Sequence, residues 1–388
     1  MKKLITLMIT FFMLVGIGCS GSYNEEEINN IYQISPNICV AMTMPGKIQA
    51  ADNIRSRIIT HIHQQDRNIP IDMCIYGLDD ETIIGAIEQA INEGIHIRFI
   101  GNADGNKKLS SDGYYYEGYR RIASALDICF PSENGARTNC SKYSQFNDFA
   151  LINTSGIMHN KFMIFTDNDG HKTVMTGSMN FTQSCIEINN NDIIFISDNN
   201  LAAKYVRYFE YLLKLNHTPE GFETLNVDGI KIEAGFSRPS SKSSYISDKI
   251  LSVVRDCESS ADFMIFTMTY EPLFNILNNK SETMVVRGLF DTAQLRSSKE
   301  ELLLKSDAEC RSDGNECIQN NHGGKLHHKC MILDAESNSA AVITGSFNWT
   351  LNADKQNNEN ILIIHSQTIA QYYSKYFEGL WKQGKIMN

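Results

Sequence analysis

The sequence predicts an α/β fold of two similar α/β/α layered halves, each a mixed sheet flanked by helices, packed about a pseudo-twofold axis. Three observations predict it. Short β-branched runs alternate with amphipathic helical segments, the pattern of layered α/β architecture. At 388 residues the chain is long for one core and comfortable for two. Most decisively, the chain repeats itself. Met158-His159-Asn160-Lys161 runs into an apolar stretch and then Thr176-Gly177-Ser178-Met179-Asn180-Phe181-Thr182; Leu326-His327-His328-Lys329 does the same before Thr344-Gly345-Ser346-Phe347-Asn348-Trp349-Thr350. His-to-Asn spacing is 21 residues in both copies, and the copies lie 168 residues apart. Beyond each asparagine, Asn189-Asn190-Asn191-Asp192-Ile193-Ile194 matches Asn357-Asn358-Glu359-Asn360-Ile361-Leu362.

Taken in order, residues 1–19 read as a leader. Lys2 and Lys3 precede an apolar run from Leu4 to Ile17 that meets Gly18-Cys19-Ser20, the charged start, short apolar centre and small-residue break of a secretory signal. The break resembles a bacterial lipobox, which implies lipidation of Cys19, membrane association through it and a place in the bacterial cell envelope. Residues 20–36 are polar and rich in Asn and Glu, as a tether is.

The first half spans 37–225. Ile38 to Met42, Ile71 to Tyr76 and Ile95 to Ile100 read as strands, and Ala51 to Gln64 and Asp80 to Asn92 as helices, the latter with acidic residues at its N-terminus. The second half spans 226–388. There Ile230 to Phe236, Ser244 to Asp256, Asp262 to Met268 and Met284 to Leu289 follow a similar order. Aromatic-rich helices, Leu201 to Leu215 and Thr368 to Gln383, close the two halves.

Of ten cysteines, Cys129 with Cys140 and Cys310 with Cys317 bracket loop-like stretches and suit local disulfides in an exported chain. Cys39, Cys74, Cys185, Cys257 and Cys330 lie in apolar runs and read as buried small hydrophobes. No Cys-x-x-Cys pair is present, which argues against structural zinc. His61 and His63, two apart on a helix, do not share a face for a metal and read as solvated. Formal charge is −10 and becomes −12 when Lys2 and Lys3 leave with the leader. That balance argues against broad nucleic-acid binding, which rests on phosphate neutralisation by Lys and Arg.

Residues two apart on a strand point the same way, so His159 projects with Lys161, and His327 with Lys329. Gly-Ser-x-Asn reads as a second strand end, where glycine permits close backbone approach. Two imidazoles, two ammonium groups and two amides facing one another suit a tetrahedral phosphoryl group.

These residues resemble the paired His-x-Lys-x4-Asp and Gly-Ser-x-Asn motifs of the phospholipase D superfamily, over essentially all of the mature chain. The second copy matches through Asp334; the first holds Thr166 in that place, with Asp167 one residue late. The resemblance implies a phospholipase D-like fold and a phosphoric diester hydrolase that needs no metal or cofactor. One histidine, His159, attacks phosphorus to form a phosphohistidine, while His327 protonates the leaving alcohol. Lys161, Lys329, Asn180 and Asn348 stabilise charge on the non-bridging oxygens, with Ser178 and Ser346 in support. Asp334 is implied to serve the fold. Glu359 is expected to hold the histidine of its own half, His327, and the aligned Asn191, with Asp192 adjacent, to do so for His159. Neighbouring His328 is expected to face away as a bystander.

A monomer suffices for one site, since both motifs lie in one chain. Three readings of function stay open at this point: a phospholipase D acting on glycerophospholipid head groups, a nuclease using Arg120, Arg121 and Arg137 as a local groove, and an inactive surface-binding lipoprotein. A tethered, acidic chain favours the phospholipid. Tyr114 to Tyr116 and Tyr119 form an aromatic cluster suited to a lipid interface, to base stacking or to ordinary packing.

Overall fold

The computed structural model describes residues 30–103, 114–128, 148–152, 156–214, 221–237, 244–295, 303, 306–314 and 324–387. The first half holds strands β1 (Ile31–Ser35), β2 (Ile38–Met42), β3 (Ile71–Ile75), β4 (Ile97–Asn102), β5 (Phe149–Ile152), β6 (Lys161–Thr166), β7 (Lys172–Gly177) and β8 (Asp192–Ser197), with helices α1 (Ile48–His63), α2 (Glu81–Asn92), α3 (Tyr114–Ala125), α4 (Gln183–Glu187) and α5 (Asn199–Lys214). The second holds β9 (Glu223–Val227), β10 (Ile230–Phe236), β11 (Ser260–Ile265), β12 (Val285–Phe290), β13 (Glu309–Ser312), β14 (Lys329–Leu333), β15 (Ala341–Gly345), β16 (Asn360–His365) and β17 (Lys385–Ile386), with α6 (Tyr245–Asp256), α7 (Glu271–Ser281), α8 (Leu351–Lys355) and α9 (Gln367–Gln383).

One sheet runs β1-β2-β8-β7-β6-β3-β4-β5 and the other β17-β13-β12-β11-β14-β15-β16-β10-β9. Read in matching directions, β2-β8-β7-β6-β3-β4-β5 and β10-β16-β15-β14-β11-β12-β13 have the same order. In both, a parallel run (β3-β4-β5, β11-β12-β13) joins an antiparallel one at the motif strand. These are the mixed sheets the sequence predicts.

Burial divides into three layers of core. One cluster, with Ile54, Ile83 and Ile122, lies between the first sheet and α1, α2 and α3; another, with Ile250, Val254 and Phe274, lies between the second sheet and α6 and α7. The third joins the halves: Phe162, Tyr205, Tyr208 and Phe209 of the first pack with Cys330, Ile332, Tyr373 and Phe377 of the second. Apolar runs on the motif strands are buried on both faces, which is why they lack alternation.

A buttress recurs in both halves. Arg98 grips Asp72 with two bonds of 2.6 and 2.7 Å, pairs with Glu210 and lies 5.0 Å over the Phe209 ring. Arg287 grips Asp262 at 2.8 and 2.7 Å, meets Glu378 at 2.8 Å and lies 4.9 Å over Phe377. Fork-shaped pairing of this kind ties each central strand to the closing helix of its half.

Cys39, Cys74, Cys185, Cys257 and Cys330 are all buried. The leader with Cys19, and Cys129, Cys140, Cys317 and Arg137, lie outside the described residues, as do the side chains of Tyr114 to Tyr116. No helix among the described residues is long and apolar enough to cross a membrane. One reading is corrected. His61 is not solvated: its ring lies between Phe165 and Phe195, at 5.1 and 5.3 Å, because it follows the buried face of α1. For Tyr119 the structure shows the packing alternative: it is buried, with its hydroxyl 2.9 and 2.6 Å from the Ile75 and Tyr76 carbonyl oxygens, its one proton directed between them.

Candidate active site

Each motif strand begins at its lysine, so His159 and His327 sit on the extended approach rather than in the ladder. The other half holds that approach. His159 N donates to Asn358 O and Asn358 N to Ile157 O, both at 2.9 Å; His327 N donates to Asn190 O at 2.9 Å and Asn190 N to Lys325 O at 2.8 Å. Two short bridges therefore lace the halves beside the histidines.

The strands ending in Gly-Ser complete the wall. Gly177 at φ +147° and Gly345 at φ +140° turn the chain where a Cβ would stand 2.3 Å from Asp192 O and 2.5 Å from Asn360 O. Glycine alone fits. Ser178 Oγ donates to Asp192 at 2.8 Å, and Ser346 Oγ to Glu359 at 2.5 Å.

The histidine partners cross between halves, which corrects the own-half expectation. Nδ1 of His159 lies 2.9 Å from both oxygens of Glu359, a residue of the second half. A carboxylate only accepts, so Nδ1 carries the hydrogen and the Nε2 lone pair is left for chemistry. Nδ1 of His327 lies 2.8 Å from Asn191 Oδ1, and the Asn191 amide is oriented by its Nδ2 donating to Cys185 O at 2.9 Å. Both imidazoles therefore hold the same tautomer, one on a charged partner and one on a neutral partner. The crossing follows from the lacing, which carries each Asn-Asn-x-x segment across to the opposite motif.

Lys161 and Lys329 are each 1% exposed. Nζ of each donates to the carbonyl of its own histidine, at 2.6 and 2.5 Å, which leaves further N–H groups for an anion. Burial holds Lys161 down to about 7 against the pull of Glu359, and holds Lys329 well below its ordinary value, with Lys161 adding to the fall. Burial likewise lowers His159 to about 4, opposed by Glu359 and aided by Lys161 and Lys329. His327 lies well below the usual range, through burial and then Lys329 and Lys161. Oδ1 of Asn180 and of Asn348 is buried without a hydrogen-bond partner among the described residues. With two buried lysines the site is short of negative charge, the deficit that a bound phosphoryl group fills, whereas the two amide oxygens accept only and call for donors.

A family model described as "Cardiolipin synthase, PLD-like domain" matches residues 58–213 and 250–381. The chain belongs to this PLD-like family. Among curated proteins it is similar to mitochondrial cardiolipin hydrolase of Xenopus tropicalis, 29% identical over 136 residues, 35% of this chain and 60% of that protein. It is also similar to a phospholipase D of Rickettsia conorii, 29% identical over 147 residues, 37% of this chain and 66% of that protein. The matches thus span less than two thirds of these relatives. Phosphatidylserine synthase of Haemophilus influenzae shares the fold, with a TM-score of 0.62 at 14% identity, over 89% of this chain and 87% of that one.

Within this PLD-like fold the remaining sequence-named residues fall outside the histidine cluster. Asp334, at the far end of β14, accepts from the backbone of Glu258, Ser259 and Ser260 and from Ser259 Oγ, which holds its carboxyl far below the usual range. In the first half the Gln65 amide does similar work, its Oε1 accepting from Thr166 N at 2.8 Å. Asp192 gathers Ser178, Thr344, Tyr373 and His328 about a fully buried carboxylate held at about 2, despite the opposing effect of burial. His328 is therefore no idle neighbour: its Nδ1 lies 3.0 Å from Asp192.

The sequence reading missed two aromatic rings. Tyr76 stands edge-on to His159 at 4.9 Å with Lys161 5.1 Å over it; Phe266 stands at 5.0 Å from His327 with Lys329 4.9 Å over it. A signal existed in Ile75-Tyr76-Gly77-Leu78 and Ile265-Phe266-Thr267-Met268, which repeat at a spacing of 190 rather than 168.

Proposed function

We propose that the chain is a phosphodiesterase that works through a phosphohistidine on His159 and acts on glycerophospholipid head groups. The observation that carries the mechanism is the contact of His159 Nδ1 with Glu359 at 2.9 Å. A carboxylate behind Nδ1–H raises the nucleophilicity of Nε2 and stabilises the positive imidazole that forms when Nε2 bonds to phosphorus. As the N–P bond forms, the P–O bond to the leaving alcohol breaks and His327 Nε2–H supplies its proton. His327 then accepts a proton from water, whose oxygen displaces His159. His327 faces neutral Asn191 and two lysines, so once protonated on substrate binding it is a strong proton donor. The lysines and the Asn180 and Asn348 amides hold the non-bridging oxygens throughout.

Support for a lipid rather than nucleic acid comes from charge. The chain is acidic at −10. Arg121 is engaged by Glu81 and Glu88, both at 2.5 Å, and Arg120 by Glu117 at 3.4 Å, so neither stands as a bare phosphate contact. Export with lipidation at Cys19 would set the site beside its substrate.

The test uses a His327→Asn variant and a phosphatidyl ester of 4-nitrophenol, whose leaving group needs no acid. The expected result is one fast turnover, then a stalled adduct on the His159 peptide by mass spectrometry after an alkaline quench. An adduct on His327 in the matching His159→Asn variant, with none in His327→Asn, would reverse the roles. Sustained turnover by both variants would end the covalent route.

A further inference from the structure

The two motifs differ in the layer of side chains behind their histidines, and they differ there as a set. In the register of 168, Asn160 corresponds to His328, Asn360 to Asp192, Thr176 to Thr344 and Ser346 to Ser178. Behind His159 the layer is made of amides. Asn360 Nδ2 donates to Asn160 Oδ1 at 3.1 Å, Asn160 Nδ2 to the Tyr208 hydroxyl at 3.2 Å, and Thr176 Oγ1 to Asn360 Oδ1 at 2.9 Å. Behind His327 the same places hold an acid and an imidazole. Asp192 Oδ1 accepts from His328 Nδ1 at 3.0 Å and from Ser178 Oγ at 2.8 Å; Oδ2 accepts from Tyr373 at 2.9 Å and from Thr344.

Stability does not call for this exchange. Each amide oxygen and nitrogen of the Asn160–Asn360 pair has a partner, whereas His328 Nε2 is buried without one among the described residues. A buried polar atom left unpaired is a net cost to the fold.

What the exchange alters is the destination of one proton. Ser178 Oγ accepts from Asp192 N and Ser346 Oγ from Asn360 N, both at 3.0 Å, so the two hydroxyls are seated alike. Ser346 then donates at 2.5 Å to Glu359, the residue that holds His159. Ser178 donates to Asp192, and stands 3.3 Å from Asn191 Oδ1, the atom that holds His327. A hydroxyl has one proton to give, and an ionised oxygen draws it more strongly than an amide oxygen does. Asn191 Oδ1 is thereby left to His327 Nδ1–H. Were position 192 an amide, as position 360 is, the serine proton would turn to position 191, as it does to Glu359 in the other copy, and compete with the imidazole. An acid at 191 itself would favour a protonated His327; Asp192 has its acceptor positions filled by His328, Ser178, Tyr373 and Thr344.

We propose that Asp192 is a positioning residue for the proton-donating step: by drawing the Ser178 proton to itself it reserves Asn191 Oδ1 for His327, and His328 holds the carboxylate in place. The proposal rests on the phosphodiesterase reading above.

The test compares the parent with Asp192→Asn and with Asp192→Asn/His328→Asn, which rebuilds behind His327 the amide pair that the chain already carries behind His159. First-turnover rates are measured on bis(4-nitrophenyl) phosphate, whose leaving group needs no acid, and on diphenyl phosphate, whose leaving group does. Both variants should lose about tenfold more on the phenyl diester than on the nitrophenyl one, the scale of one hydrogen bond. In proton NMR the His327 Nδ1–H resonance, identified by its loss in His327→Asn, should move upfield in both variants as its bond to Asn191 weakens. The double variant should melt no lower than the parent. Equal losses on the two diesters, or an unmoved resonance with parental rates, would overturn the positioning role and leave Asp192 serving the fold alone. A loss seen in Asp192→Asn and absent from the double variant would assign the effect to a stranded His328 and overturn the steering of the Ser178 proton. Cleavage of neither diester by the parent would defeat the phosphodiesterase reading itself, and this proposal with it.

Discussion

Glu359 of the second half holds His159 of the first at 2.9 Å, while Asn191 of the first holds His327 of the second at 2.8 Å. The two exchanges are equivalent in geometry and unequal in charge. Glu359→Gln should lower kcat by about two orders of magnitude, the scale of an acid–base partner, with the fold intact by circular dichroism. Asn191→Asp should raise the His327 pKa and move the basic limb of the kcat profile to higher pH. An unmoved limb would separate His327 from the proton-donating step.

Burial holds Lys161 down to about 7 and Lys329 well below its ordinary value. An anion between them restores the charged forms, so phosphate binding at pH 8 should take up protons. Calorimetry of inorganic phosphate in two buffers of different ionisation enthalpy reads this directly. Proton release, or none, would count against the two lysines as the anion's partners.

Acid stability turns on His61, whose folded pKa is lowered from 6.5 to about 4 by burial first and Arg57 second. The unfolded chain binds this proton more readily, so the contribution is whole above about 6.5 and is lost as pH falls through about 4. Asp291, raised to about 6 by burial and Asp313, has the opposite sign: its share is whole below the usual carboxylate value and lost as pH rises through about 6. His61→Phe keeps the stacking with Phe165 and Phe195 and removes the titration. Its urea midpoint should exceed the parent's at pH 5 by the equivalent of about 1–3 kcal/mol and match it more closely at pH 7.5.

Two glycines should respond in opposite directions. Gly177→Ala meets Asp192 O at 2.3 Å with φ at +147°, and should cost at least ~2 kcal/mol while displacing Ser178. Gly85, in the middle of α2, has nothing within 4 Å, and Gly85→Ala should add about 0.5–1 kcal/mol. Thermal melts of the two variants check both signs.

The candidate set of His159, Lys161, Asn180, His327, Lys329 and Asn348 could be picked out because its residues sit in an unbroken register of 168. Asn180 and Asn348 needed only the spacing from their histidines. The aromatic pair was hidden by a change of register: the offset is 190 at Tyr76 and Phe266, since the first half carries 22 more residues between its central strand and its motif. The crossing of Glu359 and Asn191 was illegible for a different reason. Repeat alignment says which residues correspond, but not which copy a side chain reaches, and that depends on the lacing of Met158 to Asn358 and of Asn190 to Leu326. His61 misled because alternation on a helix face was read without the aromatic slot between Phe165 and Phe195.

The lacing makes the two copies interdependent. A single copy of this half would leave its imidazole without its Nδ1 partner and its approach strand without its backbone bonds, so a one-motif chain of this design would need a second copy to complete its site. Within one polypeptide the two copies need not match, and the aligned positions 359 and 191 hold an acid and an amide. A change in one copy is therefore felt at the other copy's histidine, and selection tests the two as one heritable unit.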